Sequence, residues 1–476
     1  MTEPSKPSAV AGDVSRRCCS RERRKPVMGL GKGISGCVSA GFRSRDEAGK
    51  QMNLARSFPQ GLKHAFHSFA FAARLKSCPF KTNSLTLRRF IRCSGVLALA
   101  ILPVLLTGCQ KSESPQYPAN YREYAYVTNG GSATVTVIDV VNVRVDRDIL
   151  VGENPVAVAA SKTRNEVYVV NSGPVNGTGS ISVIDAEKNA VAATIPLHKQ
   201  PMSIDLDPND KLAYVANSGS NTVSVVDLKE RREVAQVPAG DDPVAARISP
   251  DGKSLVVADR SGNAVTIIDP KTLRIRAAFK GCPGATDPVI LPNSSKAFVA
   301  CSGGHAVMVI ALKQEDPAEP DRLETLMDVG RAPVQIALKP DGGEVFVSNS
   351  LSNSVSEVIT NSNDVLDAIS IGEGPVFGLV SPDNALLYVG NYRSEYVAVY
   401  SIQDGRRTAS VRVGDGPSAL ALSAAGNLLF AVDSRSGDVA VVQTAAYSKS
   451  QTYSLFTLIP TGRDPNAIVD KAFKVP

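Results

Sequence analysis

Residues 237–279 read VPAGDDPVAARISPDGKSLVVADRSGNAVTIIDPKTLRIRAAF, and this stretch decides the fold. It holds four short runs rich in apolar and β-branched residues, separated by the turn sequences Pro-Asp-Gly, Ser-Gly-Asn and Pro-Lys-Thr. Such runs between such turns are typical of antiparallel strands. The stretch therefore predicts four strands, over residues 245–249, 254–258, 264–269 and 274–279. Four antiparallel strands in about 43 residues correspond to one blade of a β-propeller.

The same pattern recurs eight times along the chain. A Gly-x-x-Pro-like element returns, with its proline at Pro155, Pro201, Pro243, Pro288, Pro333, Pro375, Pro417 and Pro465. A second marker, an aromatic or apolar residue followed in most repeats by Val-x-Asn or Val-x-Asp, ends at Asn129, Asn171, Asn217, Asp259, Cys301, Asn349, Asn391 and Asp433. Because two independent markers agree, the sequence predicts one all-β propeller of eight four-stranded blades over residues 123–476.

These Tyr-Val-x-Asn and Thr-Val-Ser-Val-Ile-Asp-like signatures resemble the YVTN family of β-propeller repeats, from about Tyr124 to Phe473. The resemblance implies an exported or surface-associated propeller. Members of that family usually have seven blades. Seven blades with one divergent extra unit therefore stay open as the alternative to eight.

The two ends of the repeat array predict how the ring closes. The first repeat starts directly at the strand that begins near Tyr124, and the last repeat consists of one lone strand after Pro465. Pairing residues 466–471 with residues 124–128 would complete one blade. Such pairing leaves no open edge in either partner.

The basic charge of the chain lies in its N-terminal part. The formal net charge is +6, yet residues 1–108 hold 19 Lys and Arg against 5 Asp and Glu, which leaves −8 for the remainder. An acidic propeller does not attract nucleic acid, so we predict no nucleic-acid partner.

Residues 88–109, RRFIRCSGVLALAILPVLLTGC, have the layout of a secretory signal, with a basic start, a short apolar run and small residues at the end. Leu106-Thr107-Gly108-Cys109 resembles the lipobox of bacterial lipoproteins, which implies a lipid anchor on Cys109. Gln110 after that cysteine generally accompanies outer-membrane sorting in that family. The alternatives are an ordinary signal peptide with a chance cysteine and a transmembrane helix, for which the apolar run is short.

This signal divides the N-terminal part into three segments. Residues 1–84 are expected to be a disordered leader or the product of a start site upstream of the true one, since a signal peptide belongs at the start. Residues 85–108 form the signal, and residues 109–122 form the lipidated cysteine with a polar tether. We expect the protein on the periplasmic side of the cell envelope, attached to the outer membrane.

Cys282 and Cys301 are the two cysteines that follow Cys109. An exported protein folds in an oxidising compartment. Counted to Pro288, the loop that contains Cys282 is three residues longer than its counterparts, and Cys301 ends the antiparallel neighbour of the next strand. The sequence therefore predicts a disulfide between them, with two free thiols as the alternative.

The functional residues of a propeller usually lie where the loops meet the central channel. In this chain these are the variable residues of the Gly-x-x-Pro loops. Acids outnumber bases among them by seven to three, which predicts a cationic or polyhydroxyl ligand or a basic protein surface. Solvated turn residues are the alternative. The set comprises Glu153, Asn154, Lys199, Gln200, Asp241, Asp242, Asp287, Arg331, Glu373, Asp415, Arg463 and Asp464.

The sequence offers little for catalysis. His198 and His305, the histidines that follow the leader, are weak candidates for a metal or haem ligand. No Gly-x-Ser-x-Gly, His-Glu-x-x-His or phosphate-loop motif is present. We therefore predict no bound cofactor and assign no metal site. The absence of Trp also disfavours quinone-dependent propellers, which stack their cofactor on that residue.

Three functions remain open at this point. The first is a monomeric, membrane-anchored, non-catalytic binding or scaffolding protein with another envelope protein or a small polar ligand as its partner. The second is a propeller enzyme, either a haem- or quinone-linked oxidoreductase or a lactonase. The third is a purely structural envelope component that assembles with itself.

Overall fold

The computed structural model describes residues 117–313, 319–444 and 452–475. The predicted leader, the signal sequence, Cys109 and the tether up to residue 116 lie outside the described residues.

Within the described residues the chain forms 32 strands and two short 3₁₀ turns, Gly130–Ser132 and Ser218–Ser220. The strands build eight sheets of four strands each, which we number as blades in chain order. Blade 1 contains β1 (Tyr121–Asn129), β2 (Thr134–Asp139), β3 (Arg144–Leu150) and β32 (Pro465–Lys474); blade 2 contains β4 (Pro155–Ala160), β5 (Glu166–Asn171), β6 (Thr178–Asp185) and β7 (Ala190–Lys199); blade 3 contains β8 (Pro201–Leu206), β9 (Leu212–Asn217), β10 (Thr222–Asp227) and β11 (Arg232–Pro238); blade 4 contains β12 (Pro243–Ile248), β13 (Leu255–Asp259), β14 (Ala264–Asp269) and β15 (Arg274–Lys280).

The second half of the ring repeats this order in the part of the chain that the structure describes. Blade 5 contains β16 (Ala285–Ile290), β17 (Lys296–Cys301), β18 (Ala306–Ala311) and β19 (Arg322–Asp328); blade 6 contains β20 (Pro333–Leu338), β21 (Glu344–Asn349), β22 (Ser354–Ile359) and β23 (Asp364–Ser370); blade 7 contains β24 (Pro375–Val380), β25 (Leu386–Asn391), β26 (Tyr396–Ser401) and β27 (Arg406–Arg412); blade 8 contains β28 (Pro417–Leu422), β29 (Leu428–Asp433), β30 (Asp438–Gln443) and β31 (Ser454–Pro460).

The strands of blade 4 agree with the sequence prediction. β14 has the predicted bounds, β15 is one residue longer at its end, and β12 and β13 differ from their predicted bounds by one or two residues at each end. β13 is buried along its whole length, whereas β15 is mostly exposed. The burial pattern therefore identifies β15 as the outer strand of the blade.

The ring closes as predicted. β32 pairs antiparallel with β1, with Tyr124 opposite Lys471 and Thr128 opposite Ala467. The inner strands β4, β8, β12, β16, β20, β24, β28 and β32 contact one another in that order, and β32 contacts β4. Eight blades are therefore correct, and the seven-bladed alternative is wrong for this chain.

The hydrophobic core lies between the blades. Among the described residues it consists of eight clusters, and each cluster joins two neighbouring blades. The largest buried side chains include aromatic residues from the second strand of a blade, at the start of the second sequence marker: Tyr126, Tyr168, Phe298, Phe346 and Phe430. A single blade cannot bury its two faces alone, so the ring is stable only as a closed set.

Among the described residues, no helix has the length and apolar character needed to cross a membrane.

Candidate functional site

Each Gly-x-x-Pro loop leads from the outer strand of one blade to the inner strand of the next. Between blades 3 and 4, for example, β11 ends at Pro238 and β12 begins at Pro243. Since each inner strand starts from such a loop, all eight loops lie on one face of the ring, around its axis.

The glycine of the loop is required by a close contact, and not only by the turn. A Cβ on Gly152 would lie 2.7 Å from Cγ of Asn171, the residue that ends the second strand of the same blade. The same collision would occur between Gly330 and Asn349 and between Gly372 and Asn391. The two sequence markers are therefore the two halves of one contact, which explains why they recur together.

The second variable position of each loop is determined by the backbone. Its φ is positive in all eight described loops: 51° at Asn154, 49° at Gln200, 57° at Asp242, 61° at Gly284, 51° at Ala332, 62° at Gly374, 73° at Gly416 and 55° at Asp464. Gly, Asn and Asp tolerate this left-handed conformation best. Asn154, Gln200, Asp242 and Asp464 of the predicted site therefore occupy positions whose chemistry follows from backbone geometry.

The first variable position is held by the hairpin between the second and third strands. In blade 2, Ser172 N donates to Asn154 O at 2.8 Å, and Gly173 N donates to Glu153 O at 3.0 Å. Blade 1 makes the same pair of bonds, from Gly130 N to Asp464 O and from Gly131 N to Arg463 O. These bonds satisfy the backbone carbonyls of both variable positions and leave the side chain at the first variable position exposed.

We call the residues at the first variable position the rim. Their side chains are exposed except for Asp415, which is half-buried. The formal charges alternate in sign over the first four blades and again from blade 6 to blade 7. In the order of blades 1 to 8 the rim comprises Arg463, Glu153, Lys199, Asp241, Pro283, Arg331, Glu373 and Asp415.

The rim itself holds four acids and three bases, so it is less acidic than the mouth that the sequence predicted. Most of the excess came from pooling the rim with Asp242 and Asp464 at the second variable position, which are acidic for backbone reasons, and with Asp287, which lies on an inner strand. Comparing the eight repeats position by position would have separated the two sets.

Two acidic rim residues have partners within the protein. Asp241 Oδ1 accepts a hydrogen bond from Asn221 Nδ2 at 3.2 Å, and Asp415 Oδ1 lies 3.4 Å from Arg435 Nη1. The Arg435 guanidinium also lies 4.5 Å from the ring centre of Tyr392. Within the described residues, the other charged rim side chains have no hydrogen-bond or ion-pair partner: Glu153, Lys199, Arg331, Glu373 and Arg463.

An open cleft of about 490 Å³ lies on this face, between blades 1 and 2. Glu153 and Arg463 both line it, together with Asn154 and the hairpin residues Pro174 and Val175. The structure therefore brings three predicted site residues, two of them oppositely charged, to one cleft.

Asp287 lies elsewhere. In blade 5 the position of the usual proline is occupied by Ala285, which pairs with Cys301, just as Pro243 pairs with Asp259 in blade 4. Pro288 is therefore not a loop proline, and the loop is not enlarged. Asp287 is an inner-strand residue whose Oδ2 accepts a hydrogen bond from Ile336 N of blade 6 at 2.9 Å.

Asp287 forms an ion pair with blade 4. Its Oδ1 lies 3.9 Å from Arg247 Nη2 on β12. Burial raises the pKa of the Asp287 carboxyl, and Arg247 opposes this rise. Asp287 therefore accepts a hydrogen bond from the backbone of the next inner strand and does not belong to the rim.

The two histidines do not meet. His198 occupies the loop-glycine position before blade 3, and its Nε2 lies 3.1 Å from Glu233 Oε2 on β11. The sequence did not reveal this carboxylate, because it comes from the next blade. His305 lies in the hairpin before β18. No group of three or more His, Cys, Asp or Glu side chains in the described segments is arranged to hold a metal ion.

The asparagines at the end of the second strand bind across the blade. Asn129 Nδ2 donates to Thr136 Oγ1 at 2.9 Å, and Asn217 Nδ2 donates to Ser224 Oγ at 2.8 Å. The sequence suggests hydrogen bonds to the backbone of the following turn, but the main partners are hydroxyl groups of the third strand. Their role is structural.

Two blades carry an aspartate at this position. Burial raises the pKa of Asp259 to about 6, although the hydroxyl of Thr266 donates to it. In blade 8, burial and then the neighbouring Asp438 raise the pKa of Asp433 to about 8. Asp433 and Asp438 are opposite each other on β29 and β30, and neither Oδ1 has a hydrogen-bond partner. A proton shared between the two carboxyls would satisfy both.

Blade 5 carries Cys301 at this position and Cys282 at the position of the loop glycine. A disulfide joins them, with Cα atoms 4.8 Å apart, and both residues are fully buried. The bond thus covalently replaces the contact that the loop glycine makes with an asparagine or aspartate in six other blades.

The arrangement of the rim is suited to binding. Its charged side chains can pair with ions of either sign, and no hydrogen bond within residues 117–313, 319–444 and 452–475 joins a histidine to a serine or cysteine.

Comparison with known proteins supports the fold. Residues 189–302 match the model of the YNCE-like beta-propeller family. A curated relative, the seven-bladed beta-propeller protein Rv1057 of Mycobacterium tuberculosis (strain ATCC 25618 / H37Rv), is 34% identical over 95 residues, which are 20% of this chain. The match spans about a quarter of that relative's length, 24%.

Solved structures are similar in fold at low sequence identity. AztD of Citrobacter koseri aligns with a TM-score of 0.55 at 12% identity, over 75% of this chain and 99% of its own. A putative 6-phosphogluconolactonase of Bacteroides uniformis ATCC 8492 gives 0.52 at 16% identity, over 74% of this chain and 100% of its own. The dihydro-heme d1 dehydrogenase NirN gives 0.53 at 14% identity, over 63% and 65%. The chain is therefore a β-propeller protein, with a segment similar to the YNCE-like propellers and with eight blades where its curated relative is named for seven.

Proposed function

We propose that this protein is an exported, membrane-anchored, non-catalytic propeller that binds a polar ligand or an envelope protein through its rim. The single observation that carries this proposal is the row of exposed rim charges. Five of them have no partner among the described residues, although each loop backbone is held by hydrogen bonds. Charges held on a rigid support and left unpaired are available to a ligand.

Anchoring rests on the lipobox-like stretch that ends at Cys109. We expect the acyl chains on Cys109 to keep the protein on the periplasmic face of the outer membrane. In a Gram-negative expression host, Cys109→Ser should release the protein from the membrane fraction into the soluble periplasmic fraction. Cys93→Ser is the matched control and should leave it in the membrane fraction. A Cys109→Ser protein that stays in the membrane fraction would contradict lipid anchoring.

Rim binding is tested with a variant in which five unpaired rim charges become glutamine: Glu153, Lys199, Arg331, Glu373 and Arg463. The control variant neutralises five exposed outer-strand charges instead: Arg144, Arg232, Arg274, Asp364 and Arg406. Both proteins are cross-linked in envelope fractions with a zero-length carboxyl–amine reagent and analysed by mass spectrometry, and both are examined by native mass spectrometry for co-purified small molecules.

Rim binding predicts that a specific adduct or co-purified mass is present with the wild type and the control, and is lost with the rim variant. An adduct that persists in the rim variant would place binding elsewhere. Visible absorption by the purified wild-type protein would favour the alternative function, a cofactor-bearing enzyme.

A further inference from the structure

We propose that the cleft between blades 1 and 2 binds a zwitterion with an apolar side chain, that is, an apolar α-amino acid or a short apolar peptide with free ends. The proposal rests on the proposed rim-binding function and deepens it by naming the ligand class. It is carried by the charges, the apolar wall and the size of this one cleft.

The two charges of the cleft have opposite signs and equivalent places. Arg463 and Glu153 are the first variable residues of consecutive loops, and both line the cleft. Hydrogen bonds of 3.0 Å, from Gly131 N to Arg463 O and from Gly173 N to Glu153 O, hold the two loop backbones. A guanidinium can bind a carboxylate in bidentate fashion, and a carboxylate can bind an ammonium group.

An apolar wall stands beside these charges. The hairpin between β5 and β6, residues 172–177, is two residues longer than the hairpin between β1 and β2, residues 130–133. The extra length presents Pro174 and Val175 at the cleft, and Val175 is 87% exposed. Among the large hydrophobic side chains in the described residues, Val175 is the most exposed. A ligand with an apolar group would cover it.

The size of the cleft and its charges narrow the ligand class. About 490 Å³ is within the usual range of small-molecule sites, roughly 300–1,000 Å³. A purely anionic ligand would meet Glu153, and a purely cationic ligand would meet Arg463. A zwitterion satisfies both charges, and its side chain can lie on Pro174 and Val175.

The chain contains a matched control for this site. Arg331 and Glu373 occupy the same two loop positions in blades 6 and 7 and are also exposed. The hairpin of blade 7, residues 392–395, has the shorter length and carries no counterpart of Pro174 and Val175. The control pair therefore has the same two charges without the apolar wall.

Isothermal titration calorimetry of the mature protein with L-leucine and with leucyl-leucine tests the proposal. N-acetyl-leucinamide, which has the same side chain and no charges, serves as the ligand control. We expect saturable binding of a zwitterion and none of the amide. Glu153→Gln or Arg463→Gln should each weaken binding at least about tenfold, and Val175→Ser should weaken binding of leucine more than of glycine. Arg331→Gln/Glu373→Gln, which alters a different part of the rim, should weaken leucine binding less than Glu153→Gln or Arg463→Gln does.

The failure of this inference can be told apart from the failure of the proposed function. If neither zwitterion binds the folded wild type, or if the control pair matters as much as Glu153 and Arg463, the inference is wrong. If rim-dependent cross-linking persists in that case, the proposed function stands without it. A stronger response to leucyl-leucine than to leucine would identify the peptide as the ligand.

Discussion

At the scale of single residues, seven of the eight described blades have one close contact between the loop and the end of the second strand. In most blades the loop contributes a glycine and the strand an asparagine or aspartate, and no room is left for a Cβ between them. The interior of a protein is packed densely enough that one added methyl group forces its neighbours to move. Substitutions at this contact therefore report directly on the packing of a blade.

Gly152→Ala should destabilise the protein by about 1–3 kcal/mol, because its new Cβ would lie 2.7 Å from Cγ of Asn171. Urea unfolding followed by circular dichroism measures the change. Gly304→Ala is the control, since its nearest atom would lie 3.6 Å away. Equal stability of the two variants would contradict the packing role of the contact.

Asp433→Asn should make blade 8 resemble the blades that carry asparagine. The new amide can donate to Asp438, so blade 8 no longer needs a shared proton. We expect a higher melting temperature than the wild type at pH 9, and little difference at pH 5, where the pair already holds its proton.

Asp259→Asn is the control for this change. The pKa of Asp259 is raised only to about 6, so the wild-type carboxyl has lost its proton by pH 7. The difference in melting temperature between Asp259→Asn and the wild type should therefore be complete at pH 7. The role of the Asp433–Asp438 pair would be refuted by an Asp433→Asn protein that loses stability between pH 5 and pH 9 as steeply as the wild type.

At the scale of elements, blade 5 differs from its neighbours in having a covalent bond at this contact. Its third strand carries Ala306 and Met308 where blades 1, 2, 3 and 6 carry hydroxyl groups. An asparagine at position 301 would find no such hydroxyl. Blade 5 therefore lacks the hydroxyl partners that the asparagine has in those four blades.

Cys282→Ala/Cys301→Ala should lower the free energy of unfolding by about 2–4 kcal/mol, since the bond closes a loop with a sequence separation of 19 residues. Urea unfolding with and without reductant measures the loss. Mass spectrometry should show the bond intact under native reducing conditions, because both sulfur atoms are buried, and reduced after denaturation. Free thiols in the native protein would contradict the pairing.

At the scale of the whole molecule, stability is distributed over eight interfaces between blades and depends on closure by β32. Closure also brings two carboxyl groups together, because Asp470 of β32 lies beside Glu123 of β1, and burial followed by this neighbouring carboxylate raises the pKa of Asp470. The buried Asp259 and Asp433 and the half-buried Asp470 therefore hold protons at pH values between the pKa of an unfolded aspartate and their own raised pKa, where the unfolded chain releases them.

Stability should consequently fall as the pH rises. An unfolded aspartate has a pKa of about 3.9, so the contribution of Asp259 is lost between about pH 4 and 6 and that of Asp433 between about pH 4 and 8. Below about pH 4 other groups oppose this trend. The Ser381 hydroxyl lowers the pKa of Asp383, and hydrogen bonds that outweigh burial lower the pKa of Asp210, so acid removes their contribution.

Melting temperatures measured from pH 3 to pH 9 should therefore peak in mildly acidic solution and decline towards pH 9. A melting temperature that stays level or increases between pH 5 and pH 9 would show that these carboxyls do not hold their protons.

The sequence by itself determined the propeller fold and the strand that closes the ring, and it predicted eight blades while leaving seven as the alternative. It could do so because each blade is encoded by a local pattern, and because the markers at Gly240 and Asp259 recur in register with their counterparts in the other blades. The sequence prediction placed the first position of the inner strand of blade 5 at Pro288, three residues too late, because the loop of this blade lacks both the usual glycine and the usual proline.

Only the tertiary structure decided how the candidate site is built. The φ of Asn154 and the partner of His198 depend on contacts with other strands, which the local pattern does not contain. The cleft brings together Arg463 and Glu153, which are about 300 residues apart in the chain and meet only because β32 closes the ring beside β4. Ring closure is a property of the whole molecule, and so is the site that it creates.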